Sequence, residues 1–191
     1  MSFDPASFDT KAFGAGKGGA KAGSPDNLYV NAWSNDTANW NTHTGSSPYL
    51  HDTDVDSISG FTQNVLDDHY SFGNVSGEYL WAAVTSIKLY VQEKDNSEVA
   101  GFKAELSVDD AAWFTAIAAG GFWGDATYRW EISANLIANF ASIANINSCI
   151  MRVTKLGAAS GTTALRRAYL EVTFTVAGGQ QTKTLIEEYD Y

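Results

Sequence analysis

The stretch Tyr169-Leu170-Glu171-Val172-Thr173-Phe174-Thr175-Val176 alternates without a break. Leu170, Val172, Phe174 and Val176 form one set, and Tyr169, Glu171, Thr173 and Thr175 the other. Successive side chains of an extended chain point to opposite faces, so this pattern demands a strand with one dry and one wet face. A helix, with its period of about 3.6, would scatter the apolar set around its axis. The same period of two returns in Val84–Glu93, where Thr85, Ile87, Leu89 and Val91 oppose Val84, Ser86, Lys88, Tyr90 and Gln92. It returns again in Gly101–Val108, with Phe102, Ala104, Leu106 and Val108 in register, and more briefly around Tyr128, Trp130 and Ile132.

Shorter signals fill in the rest. Leu28–Trp33 reads as a strand, Tyr70-Ser71-Phe72 as a strand start, and Asn147–Leu156 and Ala164–Val176 as strands joined by a loop over Gly157–Thr162. Trp113–Trp123 is apolar and broken by glycine, a strand or a loop with exposed aromatics. In Ser133–Ile143, Leu136, Ile137 and Phe140 fall at helical spacing, which suggests a short helix or turn. Asn35–Pro48 is dense in turn-forming residues, and His51–Asp56 and Asp67–His69 read as acidic loops. About eight short strands separated by turns, with little helix, predict an all-β chain. The expected architecture is a jelly-roll-like β-sandwich, with long crossing connections at 35–70 and 111–126.

A length of 191 residues suits one domain with arms, and 45% hydrophobic residues supply a core for it. The expected division is an N-terminal arm over residues 1–25, the sandwich over 26–177 and a C-terminal tail over 178–191. The arm spaces Phe3, Phe8 and Phe13 five residues apart ahead of a Gly-rich run, Gly14–Gly23, that has too much conformational freedom to pack a core. These phenylalanines, with Leu185, Ile186 and Tyr189 in the tail, are the expected anchors on neighbouring subunits.

Composition and spacing exclude several chemistries. A formal charge of −10 opposes binding to phosphate backbones and to anionic membranes. No stretch has the length and apolarity of a membrane span or the pattern of a signal peptide, so neither is expected. The single cysteine, Cys149, rules out an intrachain disulfide and reads as a small buried hydrophobe. Asp52, Asp54 and Asp56 alternate as calcium ligands can, but an EF-hand would need glycine and glutamate where Ser57 and Gln63 stand; a different calcium geometry with Asp67 and Asp68 contributing stays open beside the favoured reading, a solvated acidic loop. His43, His51 and His69 match no zinc spacing. Glu93, Glu98, Glu105, Glu131 and Glu171 sit on expected strands, where any two can face a common cleft, yet solvated carboxylates are ordinary at this charge. There is no Gly-x-Ser-x-Gly elbow, and Gly14–Gly19 lacks the Lys-Ser/Thr ending of a phosphate loop. The expectation is a protein without catalytic residues, metal or cofactor. Of six tryptophans, Trp40 lies in the most polar surroundings and is the expected contact for a sugar ring.

The segment Phe3-Asp4-Pro5-Ala6-Ser7-Phe8-Asp9-Thr10-Lys11-Ala12-Phe13 resembles segments near the ends of tailed-phage virion proteins. Asn39-Trp40-Asn41, Ser47-Pro48-Tyr49-Leu50, Asp67-Asp68-His69-Tyr70, Ile87-Lys88-Leu89-Tyr90-Val91 and Arg166–Val172 are together similar to the succession of steps in phage structural jelly rolls. The resemblance implies a non-enzymatic component located in the virion, of the capsid-decoration or tail and neck accessory type. Its implied partners are further copies of the chain and other virion proteins, with no nucleic acid and no membrane. Two alternatives come from other classes. One is a carbohydrate-binding or adhesion module that meets a host-surface glycan through Trp40. The other is a subunit of an extracellular filament assembled by strand exchange.

Overall fold

The computed structural model describes residues 21–22, 26–33, 40, 42–45, 50, 57–60, 66–75, 79–96, 100–121, 124, 127–158 and 160–176. These residues form eleven strands: β1 (Lys21–Ala22), β2 (Asp26–Trp33), β3 (Thr42–Thr44), β4 (Ser57–Gly60), β5 (Leu66–Phe72), β6 (Val84–Asp95), β7 (Ala100–Ser107), β8 (Trp113–Gly121), β9 (Arg129–Ile132), β10 (Ile150–Gly157) and β11 (Thr163–Val176). Their helical content is one α-helix, α1 (Ile143–Asn147), and the 3₁₀ turns Trp81–Ala83 and Ile137–Asn139. The fold is all-β and sandwich-like, as the alternating stretches require.

All pairings are antiparallel, and β11 is the spine of the first sheet. One of its edges pairs with β6 from Thr163↔Asp95 to Phe174↔Val84. The other edge is shared in succession by β4, β2 and β1. β9 lies outside β6, and β3 outside β4. The second sheet runs β2–β5–β10–β7–β8. β2 belongs to both: Asp26–Tyr29 pair with β11, and Val30, Ala32 and Trp33 pair with β5 across a register irregularity. That irregularity lets one strand turn the corner between sheets.

The core lies between the sheets. From β11 it takes Leu165, Ala168, Leu170, Val172 and Phe174, and from β6 Ile87, Leu89 and Val91. The facing strands supply Tyr70, Phe72, Phe102, Ala104, Leu106, Ile117, Met151 and Val153. Each fully buried aliphatic or aromatic side chain stabilises the fold by roughly 1.5–3 kcal/mol relative to an exposed one. Two bulges explain where simple alternation slips. The register on β11 jumps between Leu165 and Arg167, so Leu165 and Ala168 both face inward, three residues apart. A second jump, opposite Val84, buries Val84 and exposes Thr85, the reverse of the faces expected there.

Several expectations are corrected. Asp67–His69 is not a loop; it lies in β5, where the register against β10 skips between Met151 and Val153 and His69 adopts φ +67°. The stretches 35–70 and 111–126 are not only connections, since they hold β3, β4 and β5, and β8. The strand expected from Asn147 begins at Ile150, because Ser142 caps α1 by accepting from Asn145 N and carries the helix to Asn147. The helical signal in Ser133–Ile143 resolves into the 3₁₀ turn Ile137–Asn139 followed by α1.

That turn region also has a task at the sheet edge. β9 covers β6 only from Tyr90 to Glu93. Beyond it, Ser133 N donates to Leu89 O (2.9 Å) and Leu136 N to Ile87 O (2.7 Å). Leu89 N donates to Ser133 Oγ (2.9 Å) and Ile87 N to Asn135 Oδ1 (3.1 Å), while Asn135 Nδ2 donates to Thr85 O (3.2 Å). Side-chain amide and hydroxyl groups thus satisfy an edge that would otherwise invite another strand.

Candidate functional site

The outer face of the first sheet carries an aromatic row. Tyr169 sits directly opposite Tyr29 on β2 and Tyr90 on β6, so three tyrosines align across three adjacent strands. The Tyr90 and Tyr169 rings stack at 4.7 Å with 8° between planes, and Tyr29 tilts against Tyr169 at 5.2 Å. On β9, Trp130 meets Tyr169 at 5.4 Å and Tyr90 at 6.3 Å, T-shaped to both. Alternation dictates this placement: Tyr90 and Tyr169 occupy the wet sets of their strands because Leu89, Val91, Leu170 and Ala168 occupy the dry ones. Trp130 is 38% exposed and Ile132, on the same side of β9, 50%.

Polar groups border the rings. The Tyr90 hydroxyl donates to Glu171 Oε1 at 3.3 Å, and Glu171 is paired in register with Lys88. Arg166 Nε donates to Gln92 Oε1 at 3.0 Å, while its guanidinium lies 4.3 Å from the Tyr128 ring centre, with Lys94 Nζ 4.7 Å from the same ring. Burial, reinforced by Tyr90, Tyr29 and Glu171, pushes the Tyr169 phenol up to about 12. Burial and the Glu171 carboxylate raise Tyr90 as well, and burial raises Tyr128 against the opposing charge of Arg166. All three hydroxyls are therefore neutral donors at ordinary pH.

A second group of polar residues lies at one end of the sandwich. Glu93 and Asp95 continue the inward row of β6 and are buried. A side chain at Gly121, which has φ +87°, would meet Glu93 Oε2 and Asp95 Oδ2 at 3.2 Å. Gly121 N donates to Glu131 Oε1 (3.3 Å) and Gly124 N to Asp95 Oδ1 (2.6 Å). The sheet register thus brings two of the sequence-selected carboxylates, Glu93 and Glu131, to the same glycine backbone rather than to an open cleft. Glu105 is elsewhere, bonded to Lys103 at 3.1 Å and Arg152 at 3.0 Å, and Glu171 belongs to the aromatic row. Glu98 lies outside the described residues.

Trp40 is 4% exposed, which corrects the expectation of a ring open to a sugar. Its indole lies on β4, where a Cβ added to Gly60 would approach Trp40 Cδ2 to 3.1 Å, so a residue without a side chain gives the ring its seat. Phe3, Phe8, Phe13, Leu185, Ile186 and Tyr189, the expected anchors, lie outside the described residues, as do His51, Asp52, Asp54 and Asp56. His43 packs on Trp33 with ring centres 5.0 Å apart and has its pKa lowered by burial. His69 Nε2 is 3.0 Å from Asp110 Oδ1. Among the described residues no group of three or more His, Cys, Asp or Glu side chains is placed to hold a metal, and no helix is long and apolar enough to cross a membrane. Cys149 is buried, and burial pushes its thiol up to about 12, which leaves it protonated and inert.

Trp40 stands out in the sequence by its polar loop, and the three tyrosines do not. Tyr90 and Tyr169 are large aromatics on the wet sides of their strands, whereas Trp130 belongs to the apolar set of its strand with Tyr128 and Ile132, and alternation alone would turn it inward. Neither protein-family models nor curated protein sequences yield a match to this chain.

Proposed function

We propose that the protein is a non-enzymatic structural component of a phage virion, of the capsid-decoration or tail and neck accessory type, which docks on neighbouring subunits through its terminal segments. The observation that supports this reading is the pairing of β1 with the end of β11, Lys21 opposite Val176 and Ala22 opposite Thr175. The segments before Lys21 and after Val176 therefore begin at one corner of the sandwich. Phe3, Phe8 and Phe13 precede that corner, and Leu185, Ile186 and Tyr189 follow it. Two short aromatic and aliphatic segments rooted together reach the same neighbour, and the second contact gains from the high effective concentration set by the first. The partners on this reading are copies of the chain and other virion proteins.

The test compares the full chain with a version lacking residues 1–20, which retains β1. Both are added to particles assembled without the protein, and incorporation is followed by co-sedimentation. The truncated protein should melt as the full chain does and fail to incorporate. Normal incorporation of the truncated protein would sink the reading.

A further inference from the structure

We propose that the outer face of the first sheet, centred on Trp130, Tyr90 and Tyr169, binds a neutral oligosaccharide. This inference stands apart from the terminal segments and does not depend on them. A pyranose ring offers an apolar C–H face and a rim of hydroxyls. Its natural complement is an aromatic surface with hydrogen-bonding groups at its margin. The face has both. Trp130 is the aromatic side chain of the row with the greatest exposure, and Ile132 extends the apolar surface beside it. Around them stand the Tyr90 hydroxyl with Glu171, and Arg166, held in place by the buried Gln92.

The rings are also held before any ligand arrives. Tyr90 and Tyr169 stack on directly paired residues, and Trp130 packs against both. Rigid aromatic side chains lose little conformational entropy on binding, which favours weak polar ligands that have little apolar area to offer.

Charge and area choose among occupants. The net charge of −10 over the whole chain disfavours an acidic polymer, whether sulfated glycan or nucleic acid. A second protein copy would need about 800 Å² from each partner, with an apolar centre depleted of charge. Among the described residues Trp130 and Ile132 are the exposed apolar side chains on the face, and Lys88, Glu171, Lys94 and Arg166 lie among and around the rings. A ligand of a few sugar rings fits this mixture better than a protein surface does.

The test is a glycan array probed with the full chain, followed by calorimetric titration of the neutral glycan that binds best. Trp130→Ala should weaken that glycan at least about tenfold, with the melting curve showing that the fold persists. Trp130→Leu serves in its place if the alanine variant does not fold. Absence of neutral glycans among the ligands, or binding unchanged in both variants, overturns the proposal. So does binding confined to acidic glycans or single-stranded oligonucleotides. Self-association of the full chain that Trp130→Ala abolishes, without glycan binding, would assign the face to a protein contact instead.

Discussion

Tyr90 and Tyr169 face each other across β6 and β11 with their rings 4.7 Å apart and within 8° of parallel, on the side of the sheet away from the core. The stack ties the two longest strands together on the surface as Leu89 and Leu170 tie them in the interior. A double-mutant cycle with Tyr90→Ala and Tyr169→Ala, read by urea unfolding, should give a coupling energy of about 0.5–1.5 kcal/mol. Additive single effects would show that the rings merely adjoin.

The same pair sets an alkaline limit. The Tyr169 phenol is held up at about 12, against an ordinary value of 10.0. Between those values the unfolded chain has released a proton that the folded chain retains. The contribution of this group is therefore fully present below pH 10 and is lost as pH rises toward 12. Ultraviolet titration of the native protein should show a tyrosine ionising last, and Tyr169→Phe should remove that step.

Glu105 makes the opposite prediction at low pH. Burial pushes its carboxyl up, but hydrogen bonds from Lys103 and Arg152 and their positive charges outweigh burial and hold it below its usual value of 4.5. Its stabilising contribution is present above that value and disappears as pH falls through the lowered one. Glu105→Gln should cost about 1 kcal/mol near neutral pH and leave stability less dependent on acid. Equal acid sensitivity in variant and parent would assign the effect to other carboxylates.

Gly120 has no room for a side chain. A Cβ there would sit 2.6 Å and 2.8 Å from Phe102 ring atoms and 3.0 Å from Glu131 Cγ. Phe102 is fully buried and has nowhere to move. Gly120→Ala should destabilise the protein by about 1–3 kcal/mol through overpacking, measured by thermal melting. An unchanged melting temperature would mean that β8 shifts away from the core at little cost.

Cys149 should resist chemistry in the folded state. It is 1% exposed, with its thiol pushed up to about 12. Iodoacetamide should leave the native protein unlabelled over hours at neutral pH and label it fully in urea. Rapid native labelling would show that α1 and the start of β10 open readily.

The faces of the long strands were legible because burial of one side enforces a period of two. Ile87, Leu89, Val91, Leu170, Val172 and Phe174 could be assigned inward from their spacing alone. Bulges were not legible, since they depend on how two strands meet; hence the inversion at Val84 and Thr85 and the strand hidden in Asp67–His69. The aromatic row was half legible. That Tyr90 and Tyr169 share wet faces with polar residues can be read from each strand separately, whereas Trp130 alternates with Tyr128 and Ile132 and its outward position is seen only in the structure. That Tyr29, Tyr90 and Tyr169 form one line needs the register between strands far apart in sequence. Trp40 misled because its neighbours in sequence are polar, whereas its neighbour in space is Gly60.

The pairing of Lys21 with Val176 also fixes how the molecule bears tension. The hydrogen bonds of an antiparallel pair run across the strands. Forces drawing residues 20 and 177 apart act along those bonds and break them in turn, first in β1 and then where Asp26 and Asn27 meet Val172 and Glu171. The chain is thus weak as a link stretched between its own ends. Fastened by both ends to one support, it feels no such pull.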